Sequence, residues 1–268
     1  MKKYMYSISI KPLLKFTLLG ALIGVFILHP FTMIIYWLEF NPPEALNFSL
    51  LKFVLIKMAS SFSGEMLFMT FIFSGIGVCL GLLFWVYHKK LSIKEKTINF
   101  LSSELERDIP SLIKTGEAET LEFKSSARWD FRQHKVNKAL GLVIVKTIAG
   151  FMNNKGGTLL IGLDNEGIPL GLEHDYNTLK RKNRDGYEQF IIGLISSHLA
   201  TDLCLNISVI FQNLESNEIC RVIISPSLRP VYCQDGNKIQ FFLRTGGGTR
   251  ELNVKEATEY IAHHWPKR

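Results

Sequence analysis

Cysteine is scarce in this chain, and the little there is carries no metal-binding or disulfide pattern. The residues at 79, 204, 220 and 233 form no C-x-x-C pair and match no Cys/His spacing, so a structural zinc site has no ligand set. Cys204, Cys220 and Cys233 fit reduced thiols in a cytoplasmic domain. Phosphate-cradling loops are missing as well. Gly156-Gly157-Thr158 lacks the Walker spacing and the Lys-Ser/Thr that would follow it, and no G-x-G-x-x-G opens a helix after a strand. This argues against the common nucleotide-binding folds. No internal repeat, low-complexity tract or Ser/His/Asp arrangement stands out, and His263-His264 at the end of the last helical pattern fits a surface or capping pair.

Charge is absent from two long runs. Nothing ionised at neutral pH lies between Lys15 and Glu39, nor between Glu65 and Lys89-Lys90. Each run is about 22 residues, enough for a helix to cross a hydrocarbon core of roughly 30 Å. Residues 16–38 and 66–87 are therefore predicted transmembrane helices, with a cytoplasmic tail at 1–15 and an extracytoplasmic loop at 39–65. His29-Pro30 predicts a kink in the first span. Trp37-Leu38-Glu39-Phe40 is bulky where a cleavage site needs small side chains, so the first run is expected to stay as an anchor. Asn41-Pro42-Pro43 marks the exit of that span, and residues 47–58 are apolar enough to lie along the interface.

Orientation follows from the lysines. Lys2, Lys3, Lys11 and Lys15 precede the first run, Lys89, Lys90, Lys94 and Lys96 follow the second, and short basic flanks stay on the cytoplasmic side. The expected location is a bacterial inner membrane, with both termini and the soluble domain in the cytoplasm and membrane lipids as partners of the two helices. Most of the +7 net charge belongs to this topology. Residues 1–90 hold eight lysines against three acidic residues, a net of +5, which leaves +2 for the rest. Nucleic-acid affinity must therefore come from local patches.

Residues 88–115 read as a linker helix, with Ile93, Ile98, Leu101, Leu105 and Ile109 at helical spacing and a break near Pro110. The same stripe suits a homodimer contact or docking on its own domain. Residues 116–268 form the soluble domain. Strands are predicted at Thr120–Ser126, Thr158–Asp164, Leu203–Gln212, Ile219–Ser225 and Ile239–Arg244, and helices at Lys138–Phe151, Gly186–Leu199 and Val254–Trp265. Strands outnumber helices and cluster late, so the fold class is α+β, a mixed sheet with flanking helices behind a two-helix hairpin.

The segment Gly116-Glu117-Ala118-Glu119-Thr120-Leu121-Glu122-Phe123-Lys124 is the most informative. Alternation sends Leu121 and Phe123 to one face and sets Glu122 beside Lys124 on the other, an arrangement that suits a surface ion pair or a site. Two basic clusters follow. Lys124, Arg128, Trp129, Arg132, His134, Lys135 and Lys138 form one, with an aromatic ring among the cations; Lys180, Arg181, Lys182 and Arg184 form the other. Gly246 to Gly248, between Arg244 and Arg250, fits an anion-binding nest or a plain turn.

Three blocks in order, the segment above, Phe151-Met152-Asn153-Asn154-Lys155-Gly156-Gly157 running to Gly167, and Phe241-Phe242-Leu243-Arg244-Thr245-Gly246 running to Leu252, resemble the signature blocks of the Schlafen AlbA-like family. The resemblance covers residues 116–265, with Met152 in place of a small residue and Asn165 in place of an Asp. It implies a domain that binds RNA or DNA and, in nuclease members, a metal-dependent endoribonuclease acting on structured RNA. By position, Glu117, Glu122 and Asp164 would hold Mg²⁺ or Mn²⁺, and Lys124 would neutralise the scissile phosphate. Arg128, Trp129, Arg132, Lys135, Lys138, Arg244 and Arg250 are the expected nucleic-acid contacts. A non-catalytic nucleic-acid-binding or regulatory module tethered to the cytoplasmic membrane face is the alternative.

Overall fold

The computed structural model describes residues 10–40, 48–60, 64 and 67–265, so Lys2, Lys3 and Asn41-Pro42-Pro43 lie outside the described residues. The described residues fall into two compact units, divided between Glu95 and Lys96.

In the first unit, helix α1 (Ile10–Ile23) runs through a π turn at Gly24–Leu28 into α2 (His29–Phe40). The π turn falls where the sequence predicts a kink. Pro30 has no N–H to give the preceding turn, and the ladder widens just before it, with the His29 N–H reaching back to the Gly24 carbonyl. Helices α3 (Phe48–Ser60) and α4 (Leu67–Leu105) follow. Two stretches, Lys11–Phe40 and Leu67–Leu105, are long and apolar enough to cross a membrane. They pack on glycine: a methyl group added at Gly77 would collide with the Gly20 carbonyl, and one added at Gly24 with the Phe73 carbonyl. Each of these glycines belongs to a G-x-x-x-G pair, Gly20/Gly24 or Gly77/Gly81, whose lack of side chains lets backbones meet.

The second unit contains a four-stranded mixed sheet and a three-stranded antiparallel one. Strand β1 (Leu121–Lys124) runs parallel to β4 (Gly157–Ile161), β6 (Asn217–Ile224) is antiparallel to β4, and β5 (Ile207–Leu214) closes the edge. Between β1 and β4 lie a hairpin, β2 (Trp129–Asp130) with β3 (Lys135–Val136), and helix α6 (Lys138–Met152). Short α7 (Glu173–Asn177) and longer α8 (Arg184–His198) precede β5. The small sheet is β7 (Cys233–Asp235), β8 (Lys238–Thr245) and β9 (Gly248–Leu252), and α9 (Val254–His264) ends the domain.

Both faces of the larger sheet are covered. Leu159, Ile161, Val222 and Ile224 join a core with Ile144, Ile148, Ile191 and Ile195 of α6 and α8. Leu121, Phe123 and Leu160 join a second cluster with Ile109 and Leu112 of α5 (Ile109–Thr115). The core thus reaches back into the segment read as linker from the sequence. The break expected near Pro110 falls at residues 106–108, and a new helix starts there: Asp108 caps α5 by accepting from the Ser111 N–H at 2.8 Å, with Pro110 in the first turn.

Two buried polar side chains tie these parts together. Asn153, at the end of α6, donates to the Val231 and Phe242 carbonyls and accepts from the Val231 N–H, all at 2.8 Å, which joins α6 to the small sheet. Arg221 of β6 donates to the carbonyls of Glu104 and Arg107, satisfying acceptors that the end of α4 leaves open.

Candidate functional site

The β2–β3 hairpin is too short to hold itself together. Its fixed point is Asp175, a buried carboxylate from α7. Asp175 Oδ1 accepts from Ser126 Oγ at 2.5 Å and from the N–H groups of Arg128 and Trp129 at 3.1 and 2.8 Å; Oδ2 accepts from the Ala127 N–H and the Tyr187 hydroxyl, both at 2.9 Å. Burial first, and the Asp175 charge second, push the Tyr187 phenol up, so it stays a donor. At the hairpin tip, Asp130 accepts from the N–H groups of Arg132 and Gln133, and Asn137 donates to it at 3.1 Å. Those bonds, Asn137's foremost, hold the Asp130 carboxyl below the usual range.

The result is an ordered basic projection. Arg132, His134, Lys135 and Lys138 are exposed; Arg128 is half-buried with its guanidinium 4.9 Å from the centre of the Phe190 ring. Trp129 is half-buried and stacked on His174 of α7, centroids 5.2 Å apart and planes 12° from parallel. Phe131 meets the same imidazole edge to face at 5.4 Å. Arg250 is exposed on β9. In the second cluster Lys180, Arg181 and Lys182 are exposed, while Arg184 is engaged, its Nε 2.7 Å from Glu218 Oε1.

Arg244 departs from the sequence reading. Its side chain is fully buried, with Nη2 2.6 Å from Glu122 Oε2 and donating to the carbonyls of Ala118 and Leu121, and its guanidinium 5.0 Å from the centre of the Phe151 ring. It cannot touch a polyanion. Every residue from Phe241 to Arg244 is buried, so this stretch of β8 has no solvent face on which to display a cation. Nor do Gly246 to Gly248 form an open nest: Thr245 pairs with Gly248, and the glycines make the tight β8–β9 turn, Gly246 at φ +59°.

The acidic residues are individually engaged. Glu122 and Lys124 sit side by side, as alternation requires, the ammonium donating to Glu122 Oε1. Glu117 precedes the strand, and its Oε1 accepts from the Phe123 N–H at 3.0 Å. Asp164 Oδ1 accepts from the N–H groups of Glu166 and Ile168 at 3.0 and 2.7 Å, shaping the turn after β4. Among the described residues no three His, Cys, Asp or Glu side chains come together to hold a metal ion. Glu117, Glu122 and Asp164 are thus each engaged with separate partners rather than gathered as one ligand set. Two cations, Lys124 and Arg244, already lie against Glu122.

A profile of the family described as Schlafen, AlbA_2 matches residues 117–253, half of the chain and all three signature blocks. The chain belongs to the Schlafen AlbA_2 family. Its AlbA_2 domain resembles two solved structures at low identity. One is the DIP2311 protein of Corynebacterium diphtheriae, 16% identical, covering 63% of this chain and 33% of that one, TM-score 0.42. The other is the N-terminal domain of an ATP-dependent DNA helicase RecG-related protein of Nitrosomonas europaea, 17% identical, covering 55% and 94%, TM-score 0.35. The match thus spans about a third of the Corynebacterium protein. No curated protein matches the chain.

Within the AlbA_2 domain, sequence reasoning missed Asp175, His174 and Ser126. An acidic residue flanked by His174 and Tyr176 in a Gly-Leu-Glu-His-Asp-Tyr stretch was the available signal, but its partners lie 46 to 49 residues upstream.

Proposed function

We propose that this protein is a nucleic-acid-binding module of the AlbA_2 family, held at the cytoplasmic face of a membrane by α1, α2 and α4. The observation that carries the reading is the Asp175-anchored hairpin. It presents Arg132 and Lys135 to solvent on an anchored base, with Lys138 exposed just beyond at the start of α6, and phosphate contacts of that kind supply most sequence-independent affinity. Anchoring is supported by the apolar stretches themselves. Only 28% and 11% of their most apolar windows are buried, so Phe68, Phe71, Leu83 and Phe84 face outward where a soluble core helix would hide them. The lysines outside both runs favour cytoplasmic termini.

The test is binding of the full chain, in phosphatidylcholine nanodiscs, to labelled oligonucleotides over a salt series. Affinity that falls steeply with salt, and a shallower slope for Arg132→Ala/Lys135→Ala, is the expected result. Salt-independent binding, or none, overturns the reading. Metal-dependent cleavage of structured RNA is the second reading, favoured by the presence of Glu117, Glu122 and Asp164 in family register with Lys124 beside Glu122. Incubation with tRNA and Mn²⁺ beside Glu122→Gln decides it. Equal cleavage by both proteins, or none by either, removes it and leaves the binding module. A parallel homodimer through the exposed Leu91, Ile98 and Leu105 of α4 is compatible with either reading.

A further inference from the structure

We infer that Trp129, His174 and Phe131 form a shelf on which an unpaired nucleobase stacks, so that the ligand of the basic hairpin is single-stranded nucleic acid. The inference rests on the nucleic-acid reading and adds a substrate class to it. None of the three rings belongs to either hydrophobic core. They gather instead on the side of the hairpin, with His174 exposed and the other two half-buried. Trp129 lies nearly parallel to the imidazole and Phe131 nearly perpendicular to it, the offset and T-shaped geometries that aromatic groups favour.

The shelf is also rigid before any ligand arrives. One carboxylate sets both of its sides, because Asp175 follows His174 in the chain and binds the Trp129 N–H. A base landing here therefore orders little of the protein, and the cost that usually erodes affinity is small. Arg132 and Lys135 of the same hairpin are exposed where the sugar-phosphate chain on either side of that base would pass. Every base has a π-face, so such a shelf tolerates sequence. In a duplex those faces are covered by neighbouring base pairs, so a duplex can use the cations but not the rings.

The experiment compares His174→Ala with the unaltered chain, both in phosphatidylcholine nanodiscs, on one mixed-sequence oligonucleotide presented single-stranded and annealed to its complement, as RNA and as DNA. Loss of one stacked base predicts single-strand affinity about tenfold weaker. Duplex affinity and the salt slope should stay unchanged, and His174→Tyr should restore the single-strand value. Comparison of the two sugars tells which strand the shelf serves. If His174→Ala binds single strands as the parent does, or weakens both forms equally, the shelf is overturned while salt-sensitive binding still supports the module. If the parent binds neither form, the nucleic-acid reading falls and the shelf with it.

Discussion

Arg244 Nη2 stands 2.6 Å from Glu122 Oε2, joining the first and last signature blocks through a pair whose guanidinium is wholly out of solvent. Removing one partner of such a pair strands the other charge, which costs about 3–5 kcal/mol. Glu122→Gln, which leaves the wholly buried Arg244 without its carboxylate, should therefore lower unfolding stability by that order in urea titrations, and Arg244→Met should lower it by less because Lys124 still pairs with Glu122. The double variant Arg244→Met/Glu122→Leu should be more stable than Arg244→Met alone. A double variant that is worse than either single change would show that the two side chains do not compensate each other. Loss of any activity in Glu122→Gln has to be corrected for this effect before it speaks to chemistry.

Asp175→Asn is expected to loosen the hairpin from a distance. The amide offers one acceptor oxygen where the carboxylate uses two, so at least two of the five donors on Asp175 lose a buried, charge-assisted bond. A loss on the order of 3 kcal/mol follows. Hydrogen exchange at residues 126–137 should accelerate, and nucleic-acid affinity should fall although Asp175 touches no ligand. Unchanged exchange in that segment would contradict the anchoring role.

Glu218 ties α7 and α8 to β6, accepting from the Tyr176 hydroxyl and from Arg184. Burial raises its pKa, but the hydrogen bonds from Arg184 and Tyr176 outweigh it and leave the carboxyl below its ordinary 4.5. A depressed folded pKa contributes stability that is present above the unfolded value and lost as pH falls through the folded one. Melting temperature should therefore drop below about pH 4.5, and Glu218→Gln should drop less over the same window. Identical acid profiles for the two proteins would remove Glu218 from the account.

The glycine contact between the apolar helices makes a sharp prediction. Gly77→Leu places a branched side chain against the Gly20 carbonyl, so α1 and α4 have to separate. Close packing is the main attraction between helices in lipid, and the variant should lose it. A cysteine pair engineered across the two helices should crosslink readily in the parent and poorly in Gly77→Leu. Equal crosslinking would mean that the helices meet elsewhere.

Elements with a strong period were legible in the sequence. Alternation around Leu121 and Phe123, the apolar face of Lys138–Phe151 and the buried run after Gly157 correspond to β1, α6 and β4 within a few residues. The predicted Thr158–Asp164 strand overran because Gly162, at φ +103°, and the Asp164 turn end it early. Similarly, the strand expected from Leu203 begins only at Ile207, after a 3-10 turn at Thr201–Asn206. The β2–β3 hairpin was invisible because two-residue strands carry no period. Arg244 was misread for a related reason. An arginine beside three glycines looks like a phosphate ligand, and only its pairing with a glutamate 122 positions upstream shows that it is internal.

That separation in sequence has a temporal side. The hairpin is made early on the ribosome, yet its anchor follows 46 residues after Trp129, and Arg244, the partner of Glu122, later still. Chain closure over such distances precedes the contacts that reward it. Until then Arg132 and Lys135 remain on an unorganised segment. The ordered basic surface is thus among the last features to mature, and a nascent chain truncated before Asp175 would carry the cations without the contacts that order them.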